Sequence, residues 1–487
     1  MTEAFDESIA SPWATLGQRW GHPWHSMCSY LGTFPGALAR SMIAMLSEPG
    51  DLVLDPFSGR GTTLLEARLM SRLPLAVDVN PIAVALSRAK NTSVVLSDVR
   101  QRIDELRDSY DRLLYLPEAQ VQNDDIQLIF HPATLAQLCH LRRSLVRSER
   151  TVDRFLVGAL LGVMHGSERM DGSSGYASIS MPNTFSMSPN YVRKFVATNR
   201  LNRIPRDVFQ LLEDKTDRLF RESAPSGSEG LVVAGDAKRL KDSPALKPYV
   251  GKVRLVVTSP PYLGVVNYAK QNWIRCWLLE DNPESALTKD LDDDLTLGGW
   301  LDFVEEIALQ LKAMLQPGGV VVMVIGDVAS ARRGNYISLA REFMLRVRHD
   351  AVYRYVGCFD DHIGHDIKTT RIWKDTKGRA TDIDRLIVLS DEAPDFRTTT
   401  LSGALGLPEL TSSALKHISA IALAKNADEF SSVAAVRVPV AAKKAAKRRG
   451  VTEGAPKSVD VPSTEDKRRR DRRSSNKKGH DVVGDRG

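Results

Sequence analysis

The chain has 487 residues, of which 43% are hydrophobic and 26% are charged. These values are ordinary for a globular protein, and they exclude a collagen-like, fibrous or wholly disordered chain. The length exceeds that of one average domain, so one large unit or two fused units are expected.

The cysteines and the hydropathy pattern narrow the class of protein further. The four cysteines are too far apart for a CxxC metal or redox motif, and a disulfide framework is not expected. No apolar run of about 18 residues predicts a transmembrane helix. The N-terminal sequence is acidic and lacks the apolar core of a secretion signal. A cytoplasmic protein without membrane contact is therefore expected.

The net charge of +6 is unevenly distributed. Residues 441–487 contain 15 Lys and Arg against 7 Asp and Glu, a local net charge of +8, so the rest of the chain carries −2. The composition of this tail predicts disorder, and its charge favours a polyanionic partner. The alternative is a tail that serves only solubility.

The first predicted elements lie near the N-terminus. Asp51–Leu54 is a short apolar run that ends in Asp55, and a glycine-rich turn and an amphipathic stretch, Thr62–Leu69, follow. Leu75–Val77 is a second apolar run, which Asp78 closes. The order strand, turn, helix, strand predicts a parallel sheet covered by helices.

The rhythm of short strands then stops and later resumes. From Val99 to Phe220 the apolar spacing is mostly helical, interrupted by a predicted loop at Gly172–Pro189. A linker-like segment follows at Ser223–Gly230. Further strands are predicted at Leu231–Ala234, Val253–Thr258, Val320–Ile325 (after a Pro317–Gly319 turn) and Asp384–Ser390.

The glycine-rich turn is a candidate ligand loop. Gly59 and Gly61 allow a tight turn and a close backbone approach to a ligand. Asp78, at the end of the next strand, could accept hydrogen bonds from ribose hydroxyls. The combination favours a nucleoside cofactor, and the alternative is a purely structural strand–helix turn.

A second candidate site follows the strand at Val253–Thr258. Ser259, Pro260, Pro261 and Tyr262 project from the carboxyl end of this strand, where open α/β sheets bind ligands. The prolines lack N–H donors and leave carbonyl acceptors, Ser259 adds a hydroxyl, and Tyr262 adds a flat ring. Such a group could hold an amino group and stack on its ring. The alternative is a proline-rich strand exit with a core tyrosine.

Together the DPFSGRGT and TSPPY segments resemble the motifs of the amino-methyltransferases that modify exocyclic amino groups of DNA bases. The resemblance covers roughly residues 20–392. It implies an α/β fold with a Rossmann-like class I methyltransferase sheet, S-adenosyl-L-methionine as cofactor, and duplex DNA with a flipped target base as partner. The residues it assigns to the cofactor are Phe34, Pro35, Asp55, Phe57, Gly59, Gly61, Thr62, Asp78 and Asp236.

The resemblance also suggests a division of the chain. Residues 20–98 and 231–392 would form the two parts of the methyltransferase core. The helical insert, 99–230, is a candidate for target recognition, which is an inference from its position. Residues 393–440 are expected to be weakly structured and 441–487 to form the disordered basic tail.

The residue before Pro-Pro-Tyr bears on the target atom. Family members that methylate adenine usually have Asp or Asn there, and those that methylate cytosine N4 usually have Ser, so Ser259 favours cytosine. Adenine N6, an RNA base, or a catalytically inactive nucleic-acid-binding relative are the alternatives. The sequence leaves open whether a cognate restriction enzyme accompanies the protein.

The chemistry expected of this group needs neither a covalent enzyme intermediate nor a metal. Ser259 Oγ and the Pro260 carbonyl would accept the two amino hydrogens and localise the nitrogen lone pair, which then attacks the sulfonium methyl group. Tyr262 would stack on the flipped base. The histidines show no metal-ligand spacing. Trp273 and Trp277 could line the pocket or, at a spacing of four, simply pack a helix.

Overall fold

Eight strands form one sheet in the computed structural model. The structure describes residues 13, 16, 20–182, 187–261, 268–280, 295–329, 336–349, 352–362 and 380–406. The strands are β1 (Leu52–Asp55), β2 (Leu73–Asp78), β3 (Leu231–Ala234), β4 (Val253–Thr258), β5 (Leu315–Ala329), β6 (Tyr336–Ile337), β7 (Tyr355–His362) and β8 (Ala380–Ser390).

The strand order is β3-β2-β1-β4-β5-β8-β7, and β6 pairs with β5. The strands from β3 to β5 are parallel, and β8 is antiparallel to both β5 and β7. The chain leaves β1 toward β2 and β3 and then returns to place β4 on the other side of β1. This reversal makes the carboxyl ends of β1 and β4 the switch point at which open α/β sheets bind ligands. The predicted Rossmann-like α/β fold is confirmed.

Helices α1 (Gly36–Leu46), α2 (Thr62–Leu69) and α3 (Pro81–Lys90) belong to the first part of the sheet. Their apolar residues are almost fully buried, and α1 packs with β1, β4 and β5 in one apolar cluster. The predicted helix at Thr62–Leu69 is confirmed with the same bounds.

Seven helices occupy the region between α3 and β3 that the sequence predicts to be helical. They are α4 (Leu96–Asp108), α5 (Arg112–Gln120), α6 (Asp124–Ile129), α7 (Pro132–Leu145), α8 (Thr151–Val163), α9 (Pro189–Asn199) and α10 (Val208–Leu219). The insert shares one apolar cluster with α3. Close contact is possible because α8 carries glycine there: a Cβ on Gly158 would lie 2.4 Å from the Ala89 Cβ atom.

The other helices in the described ranges belong to the second part of the chain. They are α11 (Tyr268–Leu278), α12 (Leu297–Met314), α13 (Leu339–His349) and the short α14 (Leu401–Leu405). No helix in the described ranges combines the length and the apolar character that a membrane span needs. The predicted basic tail, 441–487, and the segment 407–440 lie outside the described residues.

The structure corrects the start of one predicted strand. β5 begins at Leu315, so the predicted Pro317–Gly319 turn lies inside the strand rather than before it. The pairing with β4 shifts here, because Val253 pairs with Leu315 whereas Leu255 pairs with Val320. Gly318 takes up this irregularity with a φ of +69°. The turn residues therefore produce a bulge within a pairing that continues on both sides.

Candidate active site

Asp55 connects the two sequence motifs. It ends β1 and is 2% exposed, and its Oδ1 accepts hydrogen bonds from Thr258 Oγ1 at 2.7 Å and from the Phe57 N–H at 3.1 Å. Thr258 is the last residue of β4, which lies beside β1. Burial raises the pKa of Asp55 to about 7, against the lowering effect of these hydrogen bonds. The glycine-rich turn and the Ser-Pro-Pro segment therefore lie at one point of the sheet edge.

The glycine turn adopts the conformation that the sequence predicts. Gly59 and Gly61 have φ values of +49° and +72°, which favour glycine. Space is also tight at position 61, because an added Cβ would lie 3.1 Å from Ser87 Oγ and 3.3 Å from the Ser87 Cα atom. Gly61 precedes the first residue of α2, Thr62, which is buried. The backbone therefore turns sharply and starts a helix at the carboxyl end of β1.

Asp78 holds the turn from the neighbouring strand. Its Oδ2 accepts the Gly59 N–H at 2.9 Å, and its Oδ1 accepts the Asn80 N–H at 2.9 Å. Burial raises the pKa of Asp78 to about 6, and the two backbone hydrogen bonds oppose the rise. The carboxylate is fixed in orientation, and each oxygen retains a lone pair for a further donor.

Tyr30 lies over this part of the site and was not among the predicted residues. Its hydroxyl accepts a hydrogen bond from Asn80 Nδ2 at 3.0 Å, and its ring lies 3.5 Å from the position of a Cβ on Gly59. The only sequence signal was its place in the segment before Phe34-Pro35. Tyr30 therefore belongs with Gly59 and Asp78 at the ends of β1 and β2.

Asp236 lies just beyond β3 at the same edge. It caps a short 3-10 helix by accepting the Lys238 N–H at 2.9 Å, and its side chain is 39% exposed. It lines a cavity of about 330 Å³ together with Val77, Val233 and Gly235. The lining also includes Arg239, Asp242 and Ser243, so the cavity combines apolar walls with several polar groups that a ring with an amino group could contact.

The Ser-Pro-Pro segment follows β4 directly. Ser259 is half-buried and Pro260 is buried. The Pro261 carbonyl accepts a hydrogen bond from Trp300 Nε1 of α12 at 2.8 Å. Trp300 was not predicted, and nothing in its local sequence singles it out. It fixes the direction of the chain after Pro260; the predicted stacking residue Tyr262 lies outside the described residues.

Phe34 and Pro35 directly precede α1. Phe34 is 9% exposed within the apolar cluster of α1, and Pro35 is the residue before the helix. Phe57 packs its ring against Phe303, with 5.8 Å between centroids. Phe34 therefore belongs to the core, and the predicted part of Phe34, Pro35 and Phe57 in cofactor binding stays a prediction.

A buried charge cluster links this N-terminal segment to α2. Glu66 is fully buried and lies 2.5 Å from both His25 Nε2 and Arg40 Nε. Burial lowers the pKa of His25 to about 4, despite the neighbouring carboxylate. Gly36 is close to this cluster, because a Cβ there would lie 2.9 Å from His25 Nε2. The cluster holds the segment before α1 against the helix that starts at the glycine turn.

The structure decides between the two interpretations of Trp273 and Trp277. Both are buried in the apolar cluster of the helical insert. Trp273 Nε1 donates to the Met187 carbonyl at 2.7 Å, and Trp277 Nε1 donates to Gln122 Oε1 at 2.8 Å. The packing alternative is confirmed, and these contacts tie α11 to the insert. Within the described residues, no cluster of three or more His, Cys, Asp or Glu side chains could hold a metal ion.

Comparison with known proteins gives a family match for one part of the chain. Residues 16–88 match the family model described as DNA methylase. The match covers α1, β1, the glycine turn and β2, together with most of α3. It supports the resemblance to DNA amino-methyltransferases in the part of the chain that contains Asp55, Gly59 and Asp78.

Individual relatives match in the same limited way. The chain is 37% identical over 71 residues to the type II methyltransferase M.XycI of Xanthomonas campestris pv. cyanopsidis and 35% identical over 71 residues to M.Cfr9I of Citrobacter freundii. Each match covers 14% of this chain and 24% of the relative, so the chain spans about a quarter of the length of these relatives. Among solved structures, the rRNA methyltransferase aviRa of Streptomyces viridochromogenes is 11% identical over 78% of this chain and 92% of its own, with a TM-score of 0.28.

Proposed function

We propose that this protein transfers a methyl group from S-adenosyl-L-methionine to the exocyclic N4 amino group of cytosine in DNA. The observation that carries the proposal is the 2.7 Å hydrogen bond between Thr258 and Asp55. It joins a nucleoside-type glycine turn to a Ser-Pro-Pro segment at the switch point of the sheet. A methyl donor and an amino acceptor need to meet at one such place.

The residues present fit the cofactor. Asp78 is oriented by two backbone N–H groups and can accept from ribose hydroxyls. Asp236 stands at the rim of the cavity that Val77 and Val233 line, and it can accept from an adenine amino group. Gly59 and Gly61 give the turn between β1 and α2 its tight backbone conformation. When bound, the cofactor supplies an electrophilic methyl group on a sulfonium.

The acceptor side would act by orienting and activating an amino group. Ser259 Oγ and the Pro260 carbonyl accept its two hydrogens, which returns the nitrogen lone pair from the ring to the nitrogen. Trp300 contributes by holding the Pro261 carbonyl, which fixes the backbone next to Ser259 and Pro260 before the base arrives. Preorganised acceptors of this kind account for a large part of the rate in such reactions. Tyr262 is the proposed stacking platform for the flipped base.

Ser259 favours cytosine over adenine because of its resemblance to the cytosine-N4 members of the family. A hydroxyl and a carbonyl accept two hydrogens without placing a full negative charge against the base. Adenine N6 and an RNA base remain the alternative substrates. An inactive relative is disfavoured, because Asp55, Gly59, Asp78 and Ser259 are all present and lie at one sheet edge. A cognate restriction enzyme and a cytoplasmic location belong to the same proposal.

Mass spectrometry of nucleosides tests the function directly. DNA and RNA from cells that express the protein are digested, and N4-methylcytosine in DNA is the expected product. N6-methyladenine alone would overturn the cytosine assignment, and a methylated base found only in RNA would overturn the DNA assignment. No methylated base in either nucleic acid would contradict methyl transfer.

The Ser259→Ala variant tests the acceptor role. The loss of one preorganised contact should lower the methyl-transfer rate about 100- to 1000-fold. Cofactor affinity, measured by calorimetry, should stay unchanged. A similar loss in both measurements would show that Ser259 acts on the cofactor side instead.

A further inference from the structure

One stretch of the helical insert has an unusual charge pattern. Residues 172–206 contain no Asp or Glu, whereas they contain five Lys and Arg. The described part of this stretch includes α9 and the exposed segment that follows it. A local excess of one charge on a fixed surface attracts a partner of the opposite charge.

Three of the five cations have partners within the protein. Arg193 pairs with both carboxylate oxygens of Asp125 at 2.6 and 2.7 Å, and Arg206 pairs with Glu168 at 2.7 Å. Arg203 donates to the Gln127 carbonyl at 2.7 Å. The contacts with Asp125 and Gln127 hold α9 and the segment after it against α6. The contact with Glu168 holds the same segment against the chain just after the bridge between Gly166 and Ser180. The surface is therefore held by specific bonds.

The other two cations, Lys194 and Arg200, point to an external partner. Both are exposed, and neither side chain makes a hydrogen bond or ion pair within the described part of the chain. Lys194 lies on α9 next to Phe195 and three residues after Tyr191, and Arg200 is the C-terminal cap of the helix. The two rings stack with centroids 6.0 Å apart, and Tyr191 is 42% exposed. Exposed cations beside an aromatic pair are typical of nucleic-acid surfaces.

The position of this surface connects it to the candidate active site. α9 is preceded by Met187, whose carbonyl accepts the hydrogen bond from Trp273 of α11. α11 is the first described helix after the Ser-Pro-Pro segment. A polyanion that lies along α9 would thus run beside the helix that follows the proposed target pocket.

We infer that Tyr191, Lys194, Phe195 and Arg200, here called the α9 surface, contact the DNA backbone next to the target base. The inference rests on the proposed function for the identity of the substrate. A lysine on α9 and an arginine at its C-terminal cap, both without a partner for the side chain in the described residues, fit two phosphates. Base flipping requires backbone contacts of this kind to offset the cost of unstacking.

The test uses full-length protein and a fluorescent 30-bp DNA duplex in anisotropy titrations at several salt concentrations. The variant is Lys194→Gln with Arg200→Gln. Each lost phosphate contact should reduce the magnitude of the slope of log K against log salt by about 0.9. The slope of the double variant should therefore be shallower by about 1.8. The tail is present in all proteins, and its contribution cancels.

Lys247→Gln with Lys252→Gln is the matched control. These lysines are exposed and precede β4, at the amino end of the strand whose carboxyl end bears Ser259. The control changes the net charge by the same amount and should leave the slope unchanged. Equal slopes for wild type and the α9 variant, or equal losses in the variant and the control, would overturn the inference.

Two further measurements separate this inference from the proposed function. Methyl transfer from labelled cofactor to DNA is followed in the same proteins. Wild type that binds DNA through the α9 surface without methylating it would contradict the proposed function alone. If the wild-type protein methylates DNA and the α9 variant has the same slope of log K against log salt as wild type, the inference alone is contradicted. Preferential competition by duplex RNA would reassign the surface to RNA and overturn the DNA inference.

Discussion

The acids at the sheet edge and the acids of the helical insert are stabilised in opposite ways. Asp55 and Asp78 receive hydrogen bonds from backbone N–H groups and a threonine hydroxyl, and neither pairs with Lys or Arg in the described part of the chain. In the insert, Asp153 is fully buried and accepts from Arg102 Nε at 2.8 Å and from Ser148 Oγ at 2.6 Å. The insert neutralises its buried charge, whereas the sheet edge keeps two acids without a counter-charge.

This difference is the one expected between a structural region and the proposed functional site. Carboxyl groups buried without a cation cost stability, which is tolerated mainly where ligand chemistry needs them. Raised pKa values at Asp55 and Asp78 report that cost.

Glycine at a positive φ should matter far more at the sheet edge than in the insert. Gly61→Ala adds a Cβ at 3.1 Å from Ser87 Oγ, whereas Gly172→Ala, at a φ of +77°, meets nothing within 4 Å. We expect Gly61→Ala to lower the free energy of unfolding by about 3 kcal/mol. Gly172→Ala should lower it by about 1 kcal/mol, which is the cost of the backbone conformation alone. Urea unfolding measures both, and equal losses would show that crowding at Ser87 is unimportant.

Removing the charge of a buried acid should change stability in opposite directions in the two regions. Asp153→Asn leaves Arg102 without its main partner and should cost about 2 kcal/mol. Asp55→Asn should stabilise the protein by about 1–2 kcal/mol at pH 8, because the raised pKa of Asp55 makes its ionised form unfavourable in the fold. Methyl transfer should fall in Asp55→Asn. A loss of stability in both variants would contradict the comparison.

Cofactor binding should strengthen as the pH rises through about 6. Between the ordinary pKa of an aspartate and about 6, the folded apo protein keeps Asp78 protonated, and only the carboxylate accepts both ribose hydroxyls. Calorimetry at pH 5 to 8 should show about a tenfold gain in affinity with proton release on binding. Asp78→Asn should bind about 1–3 kcal/mol more weakly at pH 8 and lose most of the pH dependence. Asp236→Asn, a control at the same site, should retain it.

Replacing two buried lysines, one beside the glycine turn and one in the insert, should change stability in opposite directions. Lys90 Nζ is buried without a hydrogen-bond partner, and burial, reinforced by Arg60, lowers its pKa well below the ordinary value. Lys215 Nζ donates to the Ser26 carbonyl at 2.7 Å. Lys90→Met should therefore stabilise the protein by about 1 kcal/mol, and Lys215→Met should destabilise it by about as much.

The pH dependence checks the cause of the Lys90 effect. Below its ordinary pKa the unfolded chain protonates Lys90 while the folded protein does not, so wild-type stability rises with pH in this range. The advantage of Lys90→Met should then be larger at pH 6.5 than at pH 9. An advantage that does not vary with pH would mean that packing, rather than charge, is responsible.

Much of the architecture could be predicted from local patterns in the sequence. The alternation of apolar runs and acids gave β1, α2 and β2 close to their observed bounds, and the helical spacing after Val99 predicted the insert. These features depend on residues within a few positions of one another, and periodicity reports them directly. The glycines at 59 and 61 were predictable for the same reason, since a tight turn between strand and helix demands them.

Only the tertiary structure decided how the parts of the site meet. The Asp55–Thr258 hydrogen bond joins residues 203 positions apart in the sequence, and the Trp300–Pro261 hydrogen bond joins residues 39 positions apart. Such contacts depend on which strands become neighbours, and that choice is set by packing over the whole sheet. The same holds for Trp273 and Trp277, whose spacing suits both a pocket wall and a buried helix face. Burial against the insert, which no local pattern encodes, made them core residues.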